Sequence, residues 1–126
     1  MHAPVKEVTT LVVDDDADMR LLVRSVLRRG SIDVVTEAAS GTEAIARFAE
    51  CSPAPTVVVL DNQMPDLSGL EVARRIRQTA PDQLIVLFSA YLSDTIVAES
   101  EAAGVSRCVP KSDALKLAEI VRAVAE

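Results

Sequence analysis

The chain has 126 residues, 49% of them apolar, which suffices for one domain whose core needs no disulfide or structural metal. Its net charge of −6 argues against non-specific binding to nucleic acid, which requires clustered basic residues. The two isolated cysteines, Cys51 and Cys108, are typical of a reducing compartment rather than of a secreted disulfide framework.

The beginning of the chain lacks the apolar stretch of a secretory signal, and no apolar run elsewhere reaches membrane-spanning length. We therefore expect a cytoplasmic protein that makes no membrane contact and forms a single domain over residues 1–126. His2, the only histidine, lies near the terminus, and we assign it no role.

Short runs of apolar and β-branched residues recur along the chain without alternating with polar residues. Runs of this kind predict strands that are buried on both faces, as in a parallel sheet. They cover residues 8–13, 32–36, 56–60, 84–88 and 107–109.

Helical patterns separate these runs. The first has an apolar face at positions 19, 22, 23, 26 and 27, and it places Arg20, Arg24 and Arg28 on the opposite, solvated face. The last covers residues 114–125. Ser40 and Ser68 each begin an S-x-x-E capping box.

Two further helix boundaries can be predicted from the sequence. Ser112 or Asp113 is expected to cap the last helix, and Gly104 suits the end of the fourth. The order of elements is thus strand then helix, five times over. It predicts an α/β fold, specifically a flavodoxin-like doubly wound five-stranded parallel sheet in the order 2-1-3-4-5 with helices on both faces.

Polar side chains follow four of the predicted strands. Asp14 and Asp15 follow the first, Asp61 the third, Ser89 the fourth and Lys111 the fifth. In open α/β sheets ligands bind beyond the carboxyl ends of the strands, so these groups should converge. Crowded carboxylates favour a hard cation such as Mg²⁺, and Asp61 can then act as a nucleophile toward phosphorus. An aspartate after a strand is often only a turn or cap residue. A phosphoryl site is favoured here because four predicted strands all end in side chains that suit the same chemistry.

Three segments carry a family resemblance. They are L-V-V-D-D at 11–15 together with Met19-Arg20, V-V-L-D-N-Q-M-P-D-L-S-G-L-E at 58–71, and Ser89-Ala90 followed at a distance by Lys111. The D-x-x-M-P-x-x-x-G pattern within the second is specific. With these segments the chain resembles the response-regulator receiver domains of two-component signalling, chemotaxis regulators among them, over essentially its whole length.

The resemblance implies a metal-dependent phosphoacceptor. Asp61 would accept the phosphoryl group. Asp15 and Asp61 would bind Mg²⁺ through their side chains, Gln63 through its backbone carbonyl, and Asp14 directly or through water. Such a domain is not an enzyme in the usual sense, because it catalyses only its own phosphorylation and dephosphorylation.

The resemblance also implies partners. A histidine kinase or histidine phosphotransfer protein would supply the phosphoryl group, and Ser89 and Lys111 would grip it. The output would be either contact with a downstream protein or control of an effector domain outside this chain, such as a DNA-binding one. The switching surface would be helix 4, strand 5 and helix 5, which often mediates dimerisation in the family.

Two positions depart from the family pattern. Ser112 follows Lys111 where proline is usual, so the family's cis Lys-Pro bond cannot form. Cys108 stands where many receivers carry Tyr or Phe, and a thiol is too small for the same packing change. Switching could run instead through Tyr91 or through backbone shifts. Tyr91 could equally be a surface aromatic that covers helix 4.

Two other functions remain open from the sequence. One is a receiver-like interaction module that is no longer phosphorylated. The altered loop after Lys111 is compatible with this interpretation. The other is a haloacid-dehalogenase-type phosphatase, suggested by the D-x-D pattern at 14–16, in which Asp14 would be the nucleophile. That family normally has a longer chain and a second acidic motif.

Overall fold

Five parallel strands form one sheet in the order β2-β1-β3-β4-β5, as the sequence predicts. The structure, a computed structural model, describes residues 7–126, so His2 lies outside the described residues. The elements are β1 (Thr9–Val13), α1 (Ala17–Arg29), β2 (Asp33–Ala38), α2 (Gly41–Glu50), β3 (Val57–Leu60), α3 (Gly69–Thr79), β4 (Leu84–Ser89), α4 (Asp94–Ala102), β5 (Arg107–Pro110), a 3₁₀ helix (Lys111–Lys116) and α5 (Leu117–Ala125).

Alternate residues of the central strands enter two separate cores. Val12, Val59 and Phe88 face one side of the sheet and pack with residues of α1 and α5. Leu60 and Leu87 face the other side and pack with residues of α2 and α3. Because each strand alternates its side chains between faces, the sheet needs a helical layer on both sides, which explains the continuous apolar runs of β1, β3 and β4.

The two edge strands do not follow that rule. The prediction that every apolar run is buried on both faces is wrong for β2, in which Val35 is 47% exposed and Asp33 is also exposed. In β5, Arg107 is exposed and Cys108 is half-buried. Strands at the margin of a sheet have a neighbour on one side alone, so the helical layers cover them incompletely.

Side-chain caps begin four of the helices. The predicted caps Ser40 and Ser68 are confirmed, because their hydroxyls accept the backbone N–H groups three residues on. The cap of α1 is Asp16, which accepts the N–H groups of Asp18 and Met19. Ser93 caps α4 in the same way. Part of the acidic run at 14–18 is therefore explained by helix capping.

The segment after β5 differs from its prediction. Ser112 and Asp113 cap no helix, because both lie within the 3₁₀ helix, and α5 begins only at Leu117 without a side-chain cap. Pro110 is extended, and the chain turns into the 3₁₀ helix immediately after it. Gly104, with φ of 87°, follows the end of α4 as predicted.

Candidate functional site

The sheet brings three aspartates together. Val13 and Leu60 are register partners in β1 and β3, and the Asp61 N–H donates to the Val13 carbonyl at 2.9 Å, so Asp14 and Asp61 leave the sheet side by side. One carboxylate oxygen from each of Asp14, Asp15 and Asp61 lies within 4.8 Å of the others. Asp14 and Asp61 are buried, while Asp15 is exposed.

Lys111, the residue directly after β5, completes this cluster. Its Nζ lies 2.8 Å from Asp14 Oδ2 and 3.6 Å from Asp61 Oδ2. Burial would lower the pKa of Lys111, but the hydrogen bond to Asp14 and the charge of Asp61 outweigh it and raise the pKa. The ammonium therefore stays charged between the two buried carboxylates. Lys111 converges with them as expected, although the residue after it is serine and not proline.

The Asp61 carboxyl is held in a less polar setting than an ordinary aspartate. Burial raises its pKa, and the charges of Asp14 and Asp15 add to that rise. The Lys111 ammonium and a hydrogen bond from the Gln63 N–H act in the opposite direction and compensate only in part. The negative charge of ionised Asp61 is consequently only partly offset by its neighbours, so this carboxylate is available to a cation or an electrophile.

Asp61→Asn should raise the thermal unfolding midpoint by a few degrees at neutral pH in metal-free buffer. Because the pKa of Asp61 is raised on folding, this group contributes stability that is complete below its unfolded pKa and is lost as the pH rises through the folded one. The asparagine amide does not titrate, so the gap should close as the pH falls toward about 4. Unfolding midpoints of parent and variant across that pH range test this, and a gap that does not change with pH would contradict it.

The loop between β3 and α3 is tied back to the sheet. Gly69 N–H donates to the Asn62 carbonyl at 2.9 Å, and Leu70 N–H donates to Asn62 Oδ1 at 3.2 Å. A Cβ built on Gly69 would lie 2.3 Å from the Asp61 carbonyl oxygen. Glycine is thus required for the start of α3 to approach the backbone of Asp61, which fixes the segment that carries Gln63.

Asp66 anchors the same loop from its other end. Its two carboxylate oxygens accept the N–H groups of Gly41 and Thr42 at 2.9 and 2.8 Å, at the start of α2. The Thr42 hydroxyl and these two N–H groups hold the pKa of Asp66 well below its usual range. The sequence does not reveal this role, because its only signal is an aspartate within a turn and the partners lie 24 to 25 residues away.

Ser89 ends β4, the neighbour of β3. It is fully buried, and among the described residues its hydroxyl has no hydrogen-bond partner. A buried hydroxyl without a partner is costly, since it has lost water and gained nothing in return. This side chain is therefore a candidate to bond a group that arrives from outside the protein.

The two residues proposed for switching lie further out. Cys108 is half-buried in β5, and its Sγ lies 3.0 Å from the Oγ of Ser100, a buried residue of α4. Tyr91 follows β4 and is 62% exposed. Cys108 thus contacts α4 through a small polar pair, and Tyr91 presents its ring to solvent.

The donor set at the cluster fits a hard divalent cation. Three carboxylates converge on one place, and Lys111 offsets only part of their negative charge. Mg²⁺ prefers oxygen ligands, takes few carboxylates and keeps positions for water and phosphate oxygens. Asp14, Asp15 and Asp61 could hold such an ion. Gln63 is exposed, and its backbone N–H donates a hydrogen bond to the Asp61 carboxylate.

Comparisons with known proteins agree on one family. A protein-family model described as the response regulator receiver domain matches residues 10–124. The chemotaxis protein CheY of Thermotoga maritima is 30% identical over 101 residues, which cover 80% of this chain and 82% of that protein. The response regulator protein VraR of Staphylococcus aureus is 32% identical over 117 residues, which cover 91% of this chain but 55% of that protein.

Solved structures give the same result. A two-component response regulator of the LuxR family from Aurantimonas superposes with a TM-score of 0.87 at 30% identity, over 95% of this chain and 86% of that one. The receiver domain of the response regulator NarL from Mycobacterium tuberculosis superposes with a TM-score of 0.87 at 28% identity, over 96% of this chain and 98% of that one.

Among the described residues, no helix is long and apolar enough to cross a membrane.

Proposed function

This chain belongs to the response-regulator receiver family, and we propose that it works as a single domain that accepts a phosphoryl group on Asp61 with the help of Mg²⁺. The observation that supports this most strongly is the cluster itself: three carboxylates within 4.8 Å, with Lys111 against Asp14 and Asp61. Receiver domains are signalling domains, and we propose that this one catalyses only its own phosphorylation and dephosphorylation.

The proposed transfer is a displacement at phosphorus. An oxygen of ionised Asp61 forms a bond to the phosphorus of a phosphohistidine, and the phosphorus–nitrogen bond breaks. Its electron pair stays on the imidazole nitrogen, which takes up a proton. With acetyl phosphate as donor the leaving group is acetate. The product in both cases is an acyl phosphate on Asp61.

The residues of the cluster and those beside it have separate roles in this transfer. Lys111 offsets charge on the phosphoryl oxygens. The Ser89 hydroxyl, which has no hydrogen-bond partner within residues 7–126, donates a hydrogen bond to one of them. Asp14, Asp15, Asp61 and the Gln63 carbonyl would hold Mg²⁺. When bound, Mg²⁺ offsets negative charge on both the carboxylates and the incoming phosphoryl group.

The same family assignment argues against the two other functions. A haloacid-dehalogenase-type phosphatase would use Asp14 as nucleophile, but Asp14 is paired with Lys111 at 2.8 Å. An interaction module that is not phosphorylated would be expected to lack a key side chain. Asp14, Asp15, Asp61, Ser89 and Lys111 are all present, and four of them form the cluster.

We propose a histidine kinase or a histidine phosphotransfer protein as donor, in the cytoplasm. The output would be a downstream protein or an effector domain, with α4, β5 and α5 as the switching surface and as a surface for homodimers. Phosphorylation would shift a pre-existing equilibrium. Ser89, Tyr91 and the Cys108–Ser100 pair would carry the change, since no aromatic ring occupies position 108.

A Tyr91→Ala variant with unchanged phosphorylation and target binding would remove Tyr91 from this account.

Incubation with acetyl phosphate and Mg²⁺ should add one phosphoryl group to the intact protein. With EDTA in place of Mg²⁺ the adduct should fall to background, because the clustered carboxylates repel an anionic donor. Intact mass spectrometry measures both samples. The proposal fails if the adduct forms equally without a divalent cation, or if neither acetyl phosphate nor a phosphorylated histidine phosphotransfer protein yields one.

A further inference from the structure

Arg20 does not lie on the solvated face of α1 where the helical pattern puts it. Its side chain is 20% exposed, and its Nη1 donates a hydrogen bond of 2.6 Å to the backbone carbonyl of Asp14. Its Nε lies 3.5 Å from Glu37 Oε1. Arg20 thus joins the end of β2 to the loop that carries two of the clustered carboxylates.

Hydrogen bonds hold the backbone of Asp14 in two successive peptide units. The Asp14 N–H donates to the Ala38 carbonyl at 3.1 Å, and the Asp14 carbonyl accepts from Arg20. Asp14 Oδ1 accepts the Asp16 N–H at 2.9 Å. Because the Asp14–Asp15 peptide is planar, the bond from Arg20 to the Asp14 carbonyl also restricts where the Asp15 Cα can lie.

Asp15 depends on this arrangement more than its neighbours do. Asp14 and Asp61 each contact Lys111, whereas among the described residues no hydrogen bond or ion pair holds the carboxylate of Asp15. Whether this carboxylate reaches the cluster therefore depends on where the backbone places the Asp15 Cα.

We propose that Arg20 is a positioning residue that fixes the Asp14–Asp15 peptide and so directs the Asp15 carboxylate to the divalent cation. This inference rests on the proposed Mg²⁺ site. Glu37 holds the guanidinium in turn, and Arg24 holds Glu37 through its Nη1, 2.6 Å from Oε2. Arg24 touches neither Asp14 nor the cluster, which makes it the matched control.

The sign of the effect separates positioning from simple electrostatics. A positive charge near a cation site repels the cation, so removal of an arginine that does nothing else would tighten Mg²⁺ binding. If Arg20 positions Asp15, its removal releases the peptide and weakens binding despite the lost repulsion. Partners that orient metal ligands typically contribute tenfold or more to metal affinity.

Isothermal titration of the metal-free protein with MgCl₂ tests the proposal on the parent, Arg20→Met, Arg20→Lys and Arg24→Met. We expect Arg20→Met to bind Mg²⁺ about tenfold more weakly. Arg20→Lys keeps the charge and one donor, so it should fall between Arg20→Met and the parent. Arg24→Met should stay within about twofold of the parent, since its contact is remote from the peptide.

Three outcomes overturn the proposal: equal or tighter binding by Arg20→Met, a loss in Arg24→Met as large as in Arg20→Met, or no rescue by Arg20→Lys. Circular dichroism melts show that each variant is folded at the titration temperature. If Arg20→Met is unfolded at that temperature, the test rests on Arg20→Lys. The proposal then requires Arg20→Lys to bind Mg²⁺ more weakly than the parent. A parent that binds no Mg²⁺ refutes the proposed function, whereas a parent that binds it while Arg20→Met binds equally refutes this inference alone.

Discussion

Asp61→Asn is expected to take up no phosphoryl group under conditions that fully label the parent. The asparagine amide has nearly the same shape as the carboxylate but is a far weaker nucleophile, and no other carboxylate in the cluster holds the same place. Asp14 is paired with Lys111 at 2.8 Å, and Asp15, although it lies in the cluster, is exposed. Intact mass spectrometry after acetyl phosphate treatment measures the adduct.

Asp66→Asn is the matched control for that variant. Asp66 lies in the same loop, is exposed, and bonds the start of α2 instead of joining the cluster. It should still be labelled, although its loop is less firmly held. An adduct on Asp61→Asn, or equal loss of labelling in both variants, would contradict the assignment of Asp61 as acceptor.

Gly69→Ala is expected to destabilise the protein by about 3 kcal/mol, since overpacking against rigid groups costs this much. The added Cβ would lie 2.3 Å from the Asp61 carbonyl oxygen and 2.8 Å from the Asn62 Cα. Both are backbone atoms and cannot turn away as a side chain could. The loop would have to move away from α3, which would carry the Asp61 backbone out of line with Asp14.

Thermal denaturation measures this loss, which should lower the unfolding midpoint by about 12 °C. The neighbouring Ser68→Ala variant loses only the cap bond to the Glu71 N–H and should cost about 1 kcal/mol. The close approach of Gly69 to Asp61 would be disproved as a requirement if Gly69→Ala melted no lower than Ser68→Ala.

The sequence predicts the parts of the site that follow from strand order. Val13 and Leu60 end apolar runs, and parallel pairing of those runs brings Asp14 and Asp61 together whatever the loops do. Lys111 follows from the fifth run by the same logic. These predictions succeed because each depends on one strand end and on a rule that holds for the whole sheet.

Contacts between distant loops could not be predicted. Helical periodicity assigns Arg20 to a polar face, but its partners, the Asp14 carbonyl and Glu37, depend on how β2 lies against the first loop. Asp66 reaches α2 across 24 to 25 residues for the same reason. The cap predicted at Ser112 or Asp113 failed because the chain enters a 3₁₀ helix directly at Lys111, and composition does not distinguish that turn from a capped α-helix.

Chemical trapping of the acyl phosphate tests most directly whether Asp61 is the acceptor. Borohydride reduces an acyl phosphate to an alcohol and releases phosphate, so the labelled aspartate becomes homoserine. Trypsin would place residue 61 in the peptide 48–74 and both Asp14 and Asp15 in the peptide 7–20. We predict homoserine at position 61, in the peptide 48–74, only after treatment with phosphodonor and Mg²⁺. Homoserine at position 14 or 15, or a labelled protein with none at position 61, would contradict this account.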